Sequence, residues 1–165
     1  MSFTPEKLLK GRMAESLVEE LLKECGNKVY RFGYEAVLQN LTQLEKAFDR
    51  DSEVGQRIKS IPDFIVIDGK GNPFLVEVKF RTDFIVYSKD LPRIELVEKF
   101  WKPKILFITL KKPYFRVSDS PYLDKKGGWD YISLEEDKDL KVNRDILEQF
   151  NKVVENYYLK RNNQI

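Results

Sequence analysis

The stretch IPDFIVIDGKGNPFLVEVKFR, from Ile61 to Arg81, restricts the possible folds of this chain more than any other. Two apolar runs rich in β-branched and aromatic residues flank a short loop with two glycines, a pattern that predicts a β-hairpin. A five-residue loop over 68–72 would set 67 opposite 73, 65 opposite 75 and 63 opposite 77. The hairpin would then bring Asp63 and Glu77 face to face, with Cβ atoms about 5 Å apart.

Charged residues interrupt this otherwise core-like hairpin. Side chains two apart on a strand share a face, so Lys79 lies on the side of Glu77, whereas Val76 and Val78 lie on the other. Two facing carboxylates repel each other unless a cation lies between them. The pattern therefore predicts two acids and a base held together on an anchored strand. The alternative is a half-exposed hairpin in which Glu77 and Lys79 form an ordinary surface ion pair.

The rest of the chain shows the periodicity of an α/β protein. The first element is a helix from Pro5 to Gly26, with an apolar stripe through Leu9, Met13, Leu17 and Leu21 that also includes Val18 and Leu22. A strand over 28–35, a helix over 37–48 and a polar stretch over 49–60 precede the hairpin. After the hairpin the pattern predicts a helix from Pro92 to Trp101, a strand over 105–110 covered on both faces, a short edge strand over 113–117, a polar loop over 119–130 and a last helix over 142–157. We expect a single domain over 1–165 with a mixed central sheet flanked by helices. Its core spans about 5–117, and a C-terminal helical extension spans about 140–161.

The chain of 165 residues contains no histidine. This absence excludes histidine-ligated zinc, Ser–His–Asp hydrolysis and histidine general bases. Any catalysis must rest on carboxylates, lysines, tyrosines, hydroxyls or a metal with oxygen ligands. Cys25 is the only cysteine, so an internal disulfide framework is impossible. Together with the lack of a membrane-length apolar run and of an N-terminal secretory signal, this predicts a cytoplasmic protein with no membrane partner.

Positive charge is concentrated in one part of the chain. The net charge is only +2, but residues 79–116 hold 10 basic and 4 acidic side chains. Such an excess can attract phosphate groups, although a lysine-rich stretch is also what an ordinary solvated surface looks like. The candidates for nucleic-acid binding, in this block and just before it, are Arg57, Lys89, Arg93 and Lys102.

Two further residues have a functional and a structural interpretation. On a helical wheel Glu15 lies at the margin of the apolar stripe of the first helix, aimed where that helix meets the sheet. It is therefore a candidate third acid near Asp63 and Glu77, or else a solvated helix glutamate. Trp129 could stack on a base, but we expect it to anchor its loop in the core.

The order of these motifs resembles the PD-(D/E)XK nuclease superfamily, also called restriction-endonuclease-like. Pro62-Asp63 is followed fourteen residues later by Glu77-Val78-Lys79, and a helix containing GRMAESLVEELL precedes both. The resemblance implies an αβββαβ core, which matches the predicted elements over about 5–117. Residues 83–102 lack the Gln-x-x-x-Tyr pattern of the RecB-like branch, so the subfamily is not identified.

The resemblance also implies roles for individual residues. Asp63, Glu77 and Glu15 would be metal ligands, with Val78 contributing its backbone carbonyl, and Lys79 would be the motif lysine. Asp63, Glu77, Lys79 and Glu15 form the implied catalytic set. Hard oxygen ligands of this kind suit Mg²⁺ or Mn²⁺. The implied activity is metal-dependent hydrolysis of phosphodiester bonds in DNA.

Alternatives remain open at this point. The same fold could bind nucleic acid or serve assembly without cleaving, or the domain could have no nucleic-acid role. The residues do not separate DNA from RNA as the partner. Relatives that cut both strands are often dimers, so a homodimer also stays open.

Overall fold

The computed structural model describes residues 5–33 and 49–159, which are built around a six-stranded mixed sheet. Its strands are adjacent in chain order: β1 (Lys28–Arg31), β2 (Phe64–Ile67), β3 (Pro73–Arg81), β4 (Lys104–Thr109), β5 (Phe115–Ser118) and β6 (Ile132–Ser133). Strands β3 and β4 are parallel, and all other neighbours are antiparallel. The α-helices are α1 (Pro5–Glu24), α2 (Glu53–Lys59), α3 (Leu91–Phe100) and α4 (Arg144–Val154). None of these described helices has the length and apolar character needed to cross a lipid bilayer.

The hairpin forms in the predicted register. Ile65 lies opposite Leu75, and Ile67 lies opposite Pro73, with a loop over 68–72. The same register places residue 63, one position before β2, opposite residue 77. The prediction from the loop length is therefore confirmed.

The hairpin loop is closed by its own first residue. Asp68 Oδ1 accepts hydrogen bonds from the backbone N–H groups of Lys70 and Asn72, both at 2.8 Å. Gly71 has φ +88°, a conformation that glycine adopts without steric cost. This local chemistry explains why five residues suffice to reverse the chain and why the register is unambiguous.

Helices cover both faces of the sheet and define two apolar clusters. The larger cluster joins α1, α4 and one face of the strands, with buried members that include Ala14, Val18, Leu21, Phe64, Val78, Leu106, Leu147 and Val154. The smaller cluster lies under α3 on the other face and contains Ile94, Val97, Ile105, Phe107, Tyr122 and Trp129. All six residues of β4 are buried, which confirms the prediction of a strand covered on both faces.

The described elements follow the predicted αβββαβ order through α1, β1, β2, β3, α3 and β4. One helix was not predicted: α2 lies within the stretch that was interpreted only as polar. This helix has no apolar stripe from which it could be predicted. It begins after Ser52, whose side chain caps the helix by accepting a hydrogen bond from Gly55 N at 3.1 Å. The helix predicted over 37–48 lies outside the described residues.

Two smaller expectations were wrong. The strand near 113–117 is β5, and it is not an edge strand because β6 pairs with its outer side and all its residues are buried. The apolar stripe of α1 buries Val18, Leu21 and Leu22 as predicted, but its first members Leu9 and Met13 are exposed and Ala14 is buried instead. The short side chain of Ala14 gave no hydrophobic signal, yet it permits close approach of the helix to the sheet.

Lys104 illustrates how the basic block is divided between surface and interior. Its side chain is buried, and Nζ contacts carboxylates of Asp119, Asp137 and Asp139 at 3.0, 2.9 and 2.8 Å. A lysine neutralised by three acids cannot serve as a phosphate contact. Lys104 is the first residue of the buried strand β4, where its positive charge compensates the negative charge of the three acids.

We expect Gly55→Ala to destabilise the protein. A Cβ at Gly55 would lie 2.0 Å from the carbonyl oxygen of Asp49 and 2.8 Å from Arg50 Cα, so the backbone must shift. Overpacking of this kind costs about 1–3 kcal/mol, measurable as a lower free energy of unfolding in urea. The control is Gly11→Ala in α1, where a Cβ meets no atom within 4 Å. It should gain about 0.5–1 kcal/mol through helix propensity. Equal stability of both variants would contradict the packing of α2 on the turn before it.

Candidate active site

Asp63 is held in place by three backbone groups. Its Oδ2 accepts a hydrogen bond from Val78 N at 2.7 Å, across the hairpin. Its carbonyl oxygen accepts from Phe32 N at 2.8 Å and from Gly33 N at 3.1 Å, just after β1. The position is therefore fixed from β1 and from β3 at once, and the Asp63 carboxylate has one defined orientation.

Glu77 is a buried carboxylate surrounded by cations. Its side chain is only 2% exposed. Its Oε1 accepts hydrogen bonds from Lys79 Nζ and from Arg93 Nη2, the latter at 3.3 Å. The predicted grouping of Asp63, Glu77 and Lys79 thus exists on the side of the sheet that faces α3, where the parallel register puts Glu77 beside Ile105.

Burial and a neighbouring carboxylate perturb the pKa of Asp63. Burial, followed by the charge of Glu77, raises the pKa of Asp63 from 3.8 to about 7. The Lys79 charge and the Val78 N–H group lower this pKa, and the charge of Glu15 raises it further. A carboxyl group that resists ionisation beside another carboxylate favours the binding of a cation.

Glu15 lies within electrostatic range of Asp63, as its effect on the pKa of that residue shows. Its carboxylate Oε2 is 4.0 Å from Arg31 Nη1, and its side chain is 33% exposed. Within residues 5–33 and 49–159, no three acidic, histidine or cysteine side chains form a complete metal-binding cluster. The structure therefore brings two of the three predicted acids together and leaves Glu15 at the margin.

The backbone carbonyl of Val78 is directed toward the same region. A strand residue points its N–H and C=O groups to the same neighbouring strand, and Val78 N–H points to Asp63. Strand β2 begins at Phe64, opposite Val76, so it ends before it reaches Val78. The geometry is compatible with the role that the resemblance implied for this carbonyl.

Arg93, a predicted contact for nucleic acid, lies against Glu77 and the end of α2. Its Nη2 donates to Glu77 Oε1, and its Nη1 donates to the carbonyl oxygen of Lys59 at 2.7 Å. Arg93 thus ties α3 to the end of α2 and places a second cation on Glu77. Its side chain is still 41% exposed, so it is accessible from outside.

The other three candidates for nucleic-acid binding are exposed and flank α3. Lys89 lies in the turn before the helix, with its ammonium 5.2 Å from the centre of the Tyr87 ring. Lys102 follows the helix and has φ +46°. Arg57 belongs to α2, where its carbonyl accepts from Trp101 Nε1 at 3.1 Å.

Sequence reasoning missed Arg81 and Asp90 next to this group, and it did not place Trp129 beside them. Arg81, Asp90 and Trp129 line a small cavity together with Glu77, Lys79 and Arg93. The period of two along β3 places Arg81 on the face of Glu77 and Lys79, so this residue could have been found. Trp129 was predicted to be a core residue, which its burial confirms. Its proximity to β3 depends on the path of a long loop.

Comparisons with known proteins are sparse. No family model and no curated protein matches this sequence. Among solved structures, the chain is similar to Hjc of Archaeoglobus fulgidus, a Holliday junction resolvase from an archaeal hyperthermophile. The match has 14% identity and TM-score 0.41, and it covers 84% of this chain and 98% of that one. This likeness is too distant to carry a function over. The described elements themselves have the αβββαβ order and the helix-flanked mixed sheet of a restriction-endonuclease-like fold.

Proposed function

We propose that this protein is a metal-dependent nuclease that hydrolyses phosphodiester bonds of DNA. One observation carries the proposal: two carboxylates, Asp63 and Glu77, share one buried location with the Lys79 ammonium. The pKa of Asp63 is raised to about 7 at this point. Such an arrangement is unfavourable for stability alone, and it is the arrangement that a cation-dependent active site requires.

The residues present fit Mg²⁺ or Mn²⁺. These ions bind through one or two carboxylates, and waters and substrate phosphate oxygens complete their coordination. Asp63, Glu77 and the Val78 carbonyl would hold the ion, and Glu15 would act on it through charge or through a bound water. All of these donors are hard oxygens, and the chain contains no histidine that would favour zinc.

The bound ion would stabilise negative charge on the phosphate and lower the pKa of a water molecule. Lys79 is 30% exposed beside Glu77, so its ammonium can donate to a phosphate oxygen or orient the attacking water. Arg93, also accessible, can bind a second phosphate oxygen. The backbone contacts of Asp63 keep its carboxylate in place while substrate binds.

The decisive experiment is incubation of the pure protein with plasmid, linear duplex, single-stranded and branched DNA, each with Mn²⁺, with Mg²⁺ and with a chelator. We expect cleavage of at least one substrate, and only when metal is present. An RNA of matched sequence would test selectivity. DNA binding without cleavage under all metal conditions would favour an inactive binding module instead. The absence of both DNA binding and DNA cleavage would refute the proposal.

The exposed cations around α3 should contribute to DNA affinity without acting in the reaction. We expect the triple variant Arg57→Gln, Lys89→Gln, Lys102→Gln to bind all DNA sequences more weakly. Each lost phosphate contact should reduce the slope of log affinity against log salt by about 0.7–0.9. Turnover at saturating DNA should change little, because these groups position the backbone and lie outside the reacting centre. Fluorescence anisotropy at several salt concentrations measures the slope.

A matched control removes three exposed lysines at the other end of the hairpin. Lys28 lies opposite Ile67, and Lys70 belongs to the loop. Lys141 lies near enough to Asp68 to lower the pKa of that residue. Changing these three to Gln alters the net charge equally and should leave the salt slope close to that of the native protein. Equal slopes for both triple variants would show that the cations around α3 are ordinary solvated surface.

A further inference from the structure

A small polar cavity lies beside Glu77, between β3 and α3. Its volume is about 30 Å³. The polar residues that line it are Glu77, Lys79 and Arg81 from β3, Asp90 and Arg93 at the start of α3, and Trp129 from the loop that covers this face. Glu77 and Trp129 are 2% and 6% exposed, whereas the side chains of Lys79 and Arg93 are 30% and 41% exposed, so the cavity has a buried wall and is partly open to solvent.

Three buried polar atoms of these residues have no hydrogen-bond partner within the described part of the chain. They are Glu77 Oε2, Arg81 Nε and Trp129 Nε1. An unpaired buried polar atom costs about 1–3 kcal/mol, and native proteins rarely leave one without protein or water. Three such atoms around one cavity point to a shared ligand.

The chemistry of the three atoms identifies that ligand. Arg81 Nε and Trp129 Nε1 can only donate, whereas Glu77 Oε2 can only accept while it is ionised. An anion could accept from the two donors but would be repelled by the carboxylate. A metal cation could bind the carboxylate but would face two N–H groups. Water satisfies all three atoms, and the cavity exceeds the roughly 10–15 Å³ that one water molecule needs when the space is measured with a water-sized sphere.

We propose that this cavity binds one water molecule, which accepts hydrogen bonds from Arg81 and Trp129 and donates one to Glu77. Arg81 and Trp129 are then positioning residues that act on Glu77 through the water. The existence of the water site is independent of the proposed nuclease function. Its effect on metal binding rests on that function.

The two donors are held in place before any water enters. Arg81 Nη2 donates to Asp90 Oδ1 at 3.0 Å, which orients the guanidinium and leaves Nε directed elsewhere. Trp129 packs against Phe107, with ring centres 4.8 Å apart, and against Phe84 at 6.2 Å. Because neither side chain must rearrange, the water can be bound without a large loss of side-chain entropy.

The water completes the set of contacts that orient Glu77. Lys79 and Arg93 donate to Oε1, and the water would donate to Oε2. Partners that orient a ligating carboxylate commonly change metal affinity by about 10–100-fold when they are removed. The site therefore links a loop tryptophan to the affinity of the proposed metal centre.

A high-resolution crystal structure of the metal-free protein tests the water site directly. We expect one water within hydrogen-bond distance of Glu77 Oε2, Arg81 Nε and Trp129 Nε1. A parallel crystal soaked in bromide should show no anomalous signal in the cavity. A dry cavity, or bromide bound in it, would overturn the proposal.

Two variants test the positioning role. Trp129→Phe removes one donor and keeps an aromatic ring, whereas Arg81→Lys keeps a cation for Asp90 and removes Nε. We expect each to raise the dissociation constant for Mn²⁺, measured by titration calorimetry, by about tenfold or more. The control is Trp101→Phe, the same chemical change at a tryptophan that donates to Arg57 instead. It should leave Mn²⁺ affinity unchanged.

The outcomes separate the two proposals. If Trp129→Phe does not fold, Arg81→Lys carries the test. Native Mn²⁺ affinity in the folded variants would refute the positioning role. A native protein that binds no Mn²⁺ at all would refute the proposed metal-dependent function, and the crystallographic result would still decide whether the water site exists.

Discussion

Replacing Glu77 with Gln is expected to reduce metal-dependent DNA cleavage by on the order of a thousandfold or more. The change keeps the shape of a buried side chain and removes one of the two negative charges that would hold the metal. A bound metal supplies several kcal/mol of transition-state stabilisation, and each 1.36 kcal/mol corresponds to a tenfold rate. Asp63→Asn should have a comparable effect. Initial cleavage rates at saturating DNA and a series of Mn²⁺ concentrations measure both variants.

The matched control for this prediction is Glu98→Gln on α3. Glu98 accepts a hydrogen bond from Ser120 Oγ at 2.6 Å, and glutamine can preserve that contact. The control should cleave at the native rate. Native cleavage by either Glu77→Gln or Asp63→Asn would refute the assignment of these carboxylates, provided that thermal unfolding shows the variants to be folded.

The free energy of unfolding should fall as pH rises from about 4 to about 7, through the contribution of Asp63. The pKa of this residue is raised from 3.8 to about 7 by burial and by the charge of Glu77, so the folded state holds its proton over a range in which the unfolded state has lost it. The stabilisation is complete below the unfolded pKa and disappears as pH passes the folded pKa. At 1.36 kcal/mol per pKa unit, the loss is at most about 4 kcal/mol.

Comparison with Asp63→Asn isolates this contribution from that of all other titrating groups. The native protein should lose stability relative to the variant between pH 4 and pH 7, measured by urea unfolding in metal-free buffer. Saturating Mg²⁺ or Mn²⁺ at pH 8 should restore stability to the native protein and have little effect on the variant. A difference between the two proteins that does not change with pH would contradict the raised pKa of Asp63.

Local chemistry explains why the hairpin could be predicted. Strand register depends on loop length, and the loop depends on Asp68 and Gly71, which lie only three positions apart in sequence. Once the register is known, the period of two puts Asp63, Glu77 and Lys79 together without any knowledge of the rest of the fold. The burial of β4 followed from its continuous apolar run in the same way.

Helix α2 and the contacts of Arg93 could not be predicted from local sequence patterns. A short polar helix stabilised by the Ser52 cap has no hydrophobic period, so its sequence resembles a loop. Arg93 was predicted to bind nucleic acid because it belongs to a basic block, and that pattern did not indicate its contact with Glu77. Only the packing of α3 against β3 and the end of α2 turns its guanidinium toward Glu77.

The sequence by itself therefore determined the hairpin, its register and the juxtaposition of two acids with a lysine, because these depend on neighbouring residues and on strand geometry. The tertiary structure alone decided which basic residues are surface cations and which neutralise buried acids, as Lys104 and Arg93 do. It also decided that Trp129 lines the same cavity as Arg81 and Glu77. Such arrangements join residues up to 52 positions apart, and their formation depends on how helices and loops pack over the sheet, which no local pattern encodes.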